Sequence, residues 1–455
     1  MSYRSRLLSA LFAVILLAAL IGISIVGAGS KAGGTESLFA GKTTIKLWYN
    51  DEGLTDYLND VSVSYNNAQS KVRVVPTLIR DNEYLVRIYE ATLDENDYPD
   101  LYIIRNNELE RCWKTGLAAK VEDPTHFMDN AFYPQSAINA VSFKGTPVAY
   151  PLSFETAAFL YNKKYLATMA ETAGKSLEET VPKTIVDIIN LANVYEAPEE
   201  VQAVFKWDVS DIFYNYGFVG NYMNVGGPSG DDINQLDIYN TQVISCLQVY
   251  QQLNQFFSID VQTDDYKDVI RDFAQGKIVF TIATSDAVQT IREMTLNGEC
   301  DIDYGVTRIP DSTQDLISKP MSVTDCVVVN GYSTRQEEAN RFIQYMLYQH
   351  INEFYERTGR APAQAGFQYS DEHMSGFYNA YVDSVPITKL RRAGNFWMLL
   401  ENTFALVWDG ADANDSMHRL TQTLMEQISG TENYVVDKLM SPVPVSISEQ
   451  LTGLD

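Results

Sequence analysis

Leu54, Leu58, Val61 and Tyr65 recur at intervals of four, three and four residues, the spacing that lays apolar side chains along one face of a helix. Just before them, Thr43–Asn50 is a β-branched and aromatic run that reads as a strand. Lys71–Ile79 reads as a second strand, with Pro76 marking an edge or a bulge. Leu85, Ile88 and Thr92 suggest another helix, and Leu101–Ile104 is a buried strand introduced by Pro99-Asp100. Strand, helix, strand, helix, strand in this order predicts a mainly parallel sheet covered by helices.

A second series follows. Residues 146–151 and 158–162 are extended runs, and Lys277–Ala283, Ile302–Ile309 and Cys326–Val329 are strand candidates. The stretch from Val186 to Phe257 reads as mostly helical, broken over 217–230, where Gly226-Gly227-Pro228-Ser229-Gly230 predicts a loop. Val269–Ala274 reads as the end of a helix stopped at Gly276. The tail is helical over Phe396–Trp408 and Met417–Ile428; Met417, Leu420, Leu424 and Ile428 share a face.

One segment is apolar without periodicity. Arg4 and Arg6 precede the uncharged run Leu7–Gly29, which has the layout of a secretory signal and enough length to span a bilayer. Residues 1–30 therefore read as a signal peptide cut near Ala28 or as a retained anchor. Either way the remainder is expected outside the cytoplasmic membrane, anchored or secreted. No Cys stands near the end of the run, so a lipoprotein attachment is not expected. Residues 31–41 are rich in Gly, Ser, Thr and Ala and read as a flexible tether.

Composition narrows the classes. With 45% hydrophobic and 20% charged residues over 455 positions, the chain is globular and long enough for two or more lobes. A net charge of −25 argues against nucleic-acid partners, which need clustered Lys and Arg. Cys112, Cys246, Cys300 and Cys326 form no CxxC pair, and no His stands at metal-finger spacing. Four small buried residues are expected rather than a zinc site, with one or two disulfides as the alternative. The run Asp94-Glu95-Asn96-Asp97 lacks the Gly and Glu of a calcium loop and reads as a solvated turn. Nucleophile elbow, phosphate loop, dinucleotide fingerprint and metalloprotease motif are all missing from the sequence, and the four His are scattered.

Aromatic residues carry more information. There are 28 Tyr, 20 Phe and 5 Trp, many beside planar polar groups at element ends, the combination that holds sugar rings and hydroxyls. Trp48, Asp51 and Glu52 lie at the exit of the first strand, where open α/β sheets bind ligands. Trp207 and Tyr214 flank the glycine loop, and Phe396-Trp397 opens a late helix.

The order of these pieces, from about Thr43 to Ile428, resembles the extracellular solute-binding proteins of bacterial ABC importers, in the group related to the maltose-binding protein. The segments that carry the resemblance are TIKLWYNDE from Thr44, YPDLYII from Tyr98, KGTPVAYPLSFETAAFLYNKKYL from Lys144, FAQGKIVFTIATSD from Phe273, DYGVTRIP from Asp303 and Thr358-Gly359-Arg360-Ala361-Pro362. The resemblance implies an α/β, two-lobed periplasmic-binding-protein-like fold of type II. Each lobe would be a mixed, mainly parallel sheet covered by helices, joined by hinge strands and closed by ligand. Crossings are expected near 150–156, 283–286 and 333–338. The first lobe would be 42–152 plus 287–333, and the second 153–286 plus 334–455. The resemblance puts Asp51, Glu52, Arg105, Asn106, Glu155 and one of Phe396 or Trp397 in the ligand cleft. Where the group often has a Trp, this chain has Ser285-Asp286, which gives weight to an amino-bearing or other cationic ligand. The expected function is capture of a sugar or oligosaccharide for an importer whose own subunits hydrolyse ATP, with permease subunits as partners and neither cofactor nor metal. An exported glycan-acting enzyme and a membrane-held sensory protein of the same fold are the alternatives.

Overall fold

The structure is a computed structural model, described for residues 42–451 apart from 95–96, 123–127, 258, 260–263 and 370. The apolar run Leu7–Gly29, the tether, and Glu95-Asn96 of the acidic turn lie outside the described residues. Among the described residues no helix is long and apolar enough to cross a membrane.

Residues 43–105 build a parallel trio. Strand β1 (Thr43–Tyr49) pairs in parallel with β2 (Val72–Leu78) on one side and β3 (Leu101–Arg105) on the other. Helix α1 (Thr55–Ala68) buries Tyr57, Leu58, Val61 and Tyr65, the face its spacing specifies, and α2 (Tyr84–Leu93) makes the second crossover. Pro76 sits in β2, at the sheet's edge, where a missing N–H costs no ladder bond. Later strands enter this sheet in both directions. Strand β4 (Tyr150–Thr156) and the long β9 (Met321–Val329) pair antiparallel, and β9 runs antiparallel to β3. Two short strands, β10 (Ala361–Pro362) and β11 (Val385–Pro386), complete seven.

A smaller four-stranded sheet has the order β8-β5-β7-β6, from β5 (Ala158–Asn162), β6 (Ala203–Phe205), β7 (Ile278–Ala283) and β8 (Tyr304–Thr307). Only Ala157 separates β4 in the larger sheet from β5 in the smaller one. The chain returns between Thr307 and Met321. Residues 283–286 are therefore not a crossing: α4 (Asp286–Leu296), which follows α3 (Tyr266–Ala274) and β7, joins two strands of the smaller sheet. Residues 287–307 belong to that sheet, against the expected first-lobe assignment. Residues 333–338 are not a crossing either. Helix α5 (Gln336–Gln349) packs Ala339, Phe342, Ile343, Met346 and Leu347 into the cluster that holds Leu47 and Val61. Helix α6 (Ile351–Thr358) follows it there, with Phe354 edge-on to Tyr57 at 5.0 Å.

The region expected to be mostly helical between Val186 and Phe257 holds less helix than its pattern suggests. Ile185–Val194 and Thr241–Leu253 are helices, but β6 and short turns lie between them. Gly226, Gly227 and Gly230 all have positive φ, so the chain there follows a loop path open to glycine and costly for other residues. Around Trp207, Tyr250 and Trp408, this lobe forms the largest apolar cluster, closed by helices Phe396–Trp408 and Ala413–Ser429. A further cluster joins Phe154 and Ala361 of the larger sheet to Leu160, Phe273 and Ala283 of the smaller sheet's lobe; α7 (Glu372–Val382) packs there, its Tyr381 stacked on Phe154 at 4.0 Å. All four cysteines are free thiols, three of them buried.

Lys389 is buried, and its Nζ donates to the Asn139 carbonyl at 2.8 Å and to the Ser229 carbonyl. Burial pushes its pKa down to about 8, with Asp231 opposing the shift. An unfolded Lys keeps its proton to about 10.4. Between pH 8 and 10 the unfolded chain therefore binds more protons than the folded one, and this group's contribution to stability rises with pH. Urea unfolding should show the wild type gaining about 2 kcal/mol on Lys389→Met between pH 8 and pH 10. Parallel pH profiles for the two would contradict it.

Candidate functional site

Three strands end at one opening. Beyond β1, the Asp51 carboxylate accepts from Gly53 N–H at 2.9 Å and so fixes the turn that exposes it. Arg105 is the last residue of β3. Beyond β7, Ser285 and Asp286 start α4 from the other lobe. Strand alternation does the rest. Ser153 and Glu155 on β4, and Val323 and Asp325 on β9, line the same cavity of about 410 Å³ between the sheets. It opens into a groove of about 700 Å³ that shares Asp51, Arg105, Asp325 and Arg360.

Arg360 reaches the opening because α6 ends at Gly359, whose φ of 66° turns the chain sharply. Its guanidinium bonds the Asp51 carboxylate and lies 3.6 Å from Asp325 Oδ2. Ser153 Oγ donates to Asp325 Oδ2 at 3.0 Å. Asp286 is held from its own lobe by Tyr266 O–H at 2.8 Å and by the Thr284 hydroxyl. These partners leave two groups unspent. Among the described residues, Glu155 accepts no hydrogen bond and Arg105 forms no ion pair.

Burial raises the Glu155 pKa, and the charge of Asp286 raises it further, with Arg105 opposing. Burial likewise raises the Asp325 pKa against the pull of Arg360. The cavity thus sets four carboxylates against two guanidiniums, one of them committed to Asp51 and Asp325. An acceptor and a donor with spare capacity face one space, the arrangement that takes up hydroxyl or ammonium groups of a polar solute.

Of the residues singled out in the sequence, Asp51, Arg105, Glu155, Ser285 and Asp286 meet in this cavity. Glu52 lies on the outer groove, paired with Arg80 at 2.7 Å. Asn106 is buried and its amide is spent on backbone, accepting from Thr324 N–H at 3.0 Å and donating to the Ile387 carbonyl at 3.3 Å. The expected stacking platforms lie elsewhere. Trp48 packs with Tyr84, Ile104 and Val328 under the larger sheet. Trp207 is fully buried, its Nε1–H donating to Asn215 Oδ1 at 2.9 Å, and Phe396 sits in the same core. Tyr214 stacks on Tyr266 at 4.7 Å, one layer behind Asp286. Half-buried Trp397 lines a separate groove of about 270 Å³ with Tyr216 and Lys319. Sequence reading passed over Asp325 and Arg360 as site residues. Asp325 had a signal: it is the one charged residue in the apolar run MSVTDCVVV.

The family described as bacterial extracellular solute-binding protein matches residues 63–376 of the chain. No curated relative matches the sequence. Among solved structures, the fold is similar to an extracellular solute-binding protein from Staphylococcus aureus in complex with maltose, with a TM-score of 0.72 and 17% identity over 85% of this chain and 98% of that one. A cyclo/maltodextrin-binding protein complexed with maltotetraose matches with a TM-score of 0.69 and 17% identity over 85% and 97%. The maltose-binding periplasmic protein from Listeria monocytogenes in complex with maltose matches at 0.67 and 17% over 86% and 100%. At this identity the likeness is one of fold.

Proposed function

The chain belongs to the bacterial extracellular solute-binding proteins, and on that premise we propose that it captures a small sugar in the cleft between its lobes for an ABC importer. The observation that carries this reading is the pair of unspent groups, Arg105 and Glu155, facing one cavity at the carboxyl ends of the strands. Recognition rests on hydrogen bonds more than on stacking, because among the described residues Phe154 is the one aromatic side chain lining that cavity and it is already stacked on Tyr381. The excess of carboxylates favours a second reading, in which the solute carries an amino group. Permease subunits would receive the closed form, the importer itself would hydrolyse ATP, and Leu7–Gly29 would hold the chain at the membrane or be cut away.

A thermal-shift screen of neutral sugars, amino sugars, polyamines and peptides tests both readings. A true ligand at a hundred times its Kd should stabilise the protein by about 2.7 kcal/mol. Small-angle scattering with that ligand should show a smaller radius of gyration as the lobes close about Ala157. Product analysis after incubation with a glycan panel should find every glycan intact; cleavage would turn the reading to an enzyme. A screen in which no solute class stabilises the protein would count against solute capture.

A further inference from the structure

Arg111 lines the 700 Å³ groove on one side and a second crevice of about 580 Å³ on the other. That crevice runs between the lobes. One wall carries Arg111, Lys114 and Lys144, beside Phe143 of the larger sheet's core. The other carries Arg391 and Arg392, beside Leu390 of the core around the smaller sheet. Five cationic side chains thus meet three carboxylates, in a chain whose net charge is −25.

The three carboxylates are already engaged. Glu110 is buried, paired with Lys114 Nζ at 2.5 Å and accepting from Arg391 N–H at 2.6 Å. Asp231 accepts from Lys144 N–H at 2.6 Å. Asp232 accepts from Asn234 N–H and Nδ2 and from Gln235 Nε2 at 2.9–3.0 Å. By contrast, Arg111, Lys144, Arg391 and Arg392 form no ion pair among the described residues. The two backbone bonds, Arg391 to Glu110 and Lys144 to Asp231, also fix the walls opposite one another.

We propose that this crevice is a second binding site, taking an oxyanion group — phosphate, sulfate or carboxylate — between Arg111, Lys144, Arg391 and Arg392. Three of the four cations are Arg, whose planar fork matches such groups two bonds at a time. The crevice concentrates positive field on an acidic molecule, so an anion is drawn there and away from the rest of the surface. An anion bridging both walls binds best when the lobes stand as they do here, which couples its binding to that arrangement.

The inference does not depend on the identity of the cleft solute, and the titrations that test it use none. Calorimetric titration of the full chain with inorganic phosphate and with sulfate, at ionic strength matched by chloride, should show saturable binding. The double variant Arg391→Gln/Arg392→Gln should weaken it at least tenfold. Both side chains are exposed and unpaired, so the variant should melt where the wild type does without phosphate. Arg341→Gln, on α5, should bind phosphate as the wild type does. Competition then separates the sources: phosphate displaced by the screen's solute means that the crevice reads an anionic part of that solute, and independent binding means a separate ion. Binding that disappears on matching the ionic strength, or that survives the double variant unchanged, would overturn the proposal.

Discussion

Glu155→Gln should weaken solute binding by about 1.5–3 kcal/mol, the range for hydrogen bonds to charged groups, or roughly ten- to a hundredfold in Kd. The ligand-free protein should melt at the same temperature or higher. The two effects share one cause. Glu155 is desolvated beside Asp286 and accepts no hydrogen bond among the described residues. Its charge is a cost until a ligand donor arrives. Its folded-state pKa lies above the ordinary 4.5, so the folded protein holds this proton more tightly than the unfolded chain. The group's contribution is therefore fully present at low pH and is lost as pH rises through the folded pKa. The stability gap between the wild type and Glu155→Gln should narrow as pH falls from neutral towards 4.5. Calorimetric titration with the screen's ligand and ligand-free melting curves at both pH values measure all three quantities. Equal affinities would remove Glu155 from the site, and a large loss of ligand-free stability would make it a structural residue.

Trp207→Ala should lower the stability of the lobe built on the smaller sheet by about 3–5 kcal/mol, the usual cost of emptying a large buried aromatic site. Trp207 packs on Phe205 at 4.6 Å and meets Trp408 edge-on at 5.8 Å, and its N–H is satisfied inside the core by Asn215. Truncation would leave a cavity and an amide oxygen short of a donor. Denaturant unfolding followed by intrinsic fluorescence reads the change. A variant of wild-type stability that no longer binds solute would restore Trp207 as a stacking platform.

These two residues mark where the sequence was legible and where it was not. Period-two and period-3.6 patterns report that a face is buried, and so β1, α1, α2 and β3 were readable, together with the parallel trio they imply. The same patterns do not say against which sheet a helix lies. Helices α4 and α5 are amphipathic wherever they pack, and both were placed in the wrong lobe. Adjacency misled for aromatics: Trp207 precedes Asp208 and Trp48 stands three residues before Asp51, yet both rings point into cores. The charged cleft was half visible. Asp51, Glu155 and Asp286 stand at element ends, where motifs can be read locally. The Arg360–Asp51 pair joins positions 309 residues apart, and nothing local to either encodes it.

The most direct measurement is a co-crystal structure with the tightest ligand from the solute screen. Ligand density should lie between the lobes, within hydrogen-bond distance of Glu155 and Asp286 on opposite walls and of Arg105 at the mouth. Density confined to the groove beside Trp397, or bound outside the cleft with Glu155 and Asp286 untouched, would contradict the assignment of this cavity as the solute site.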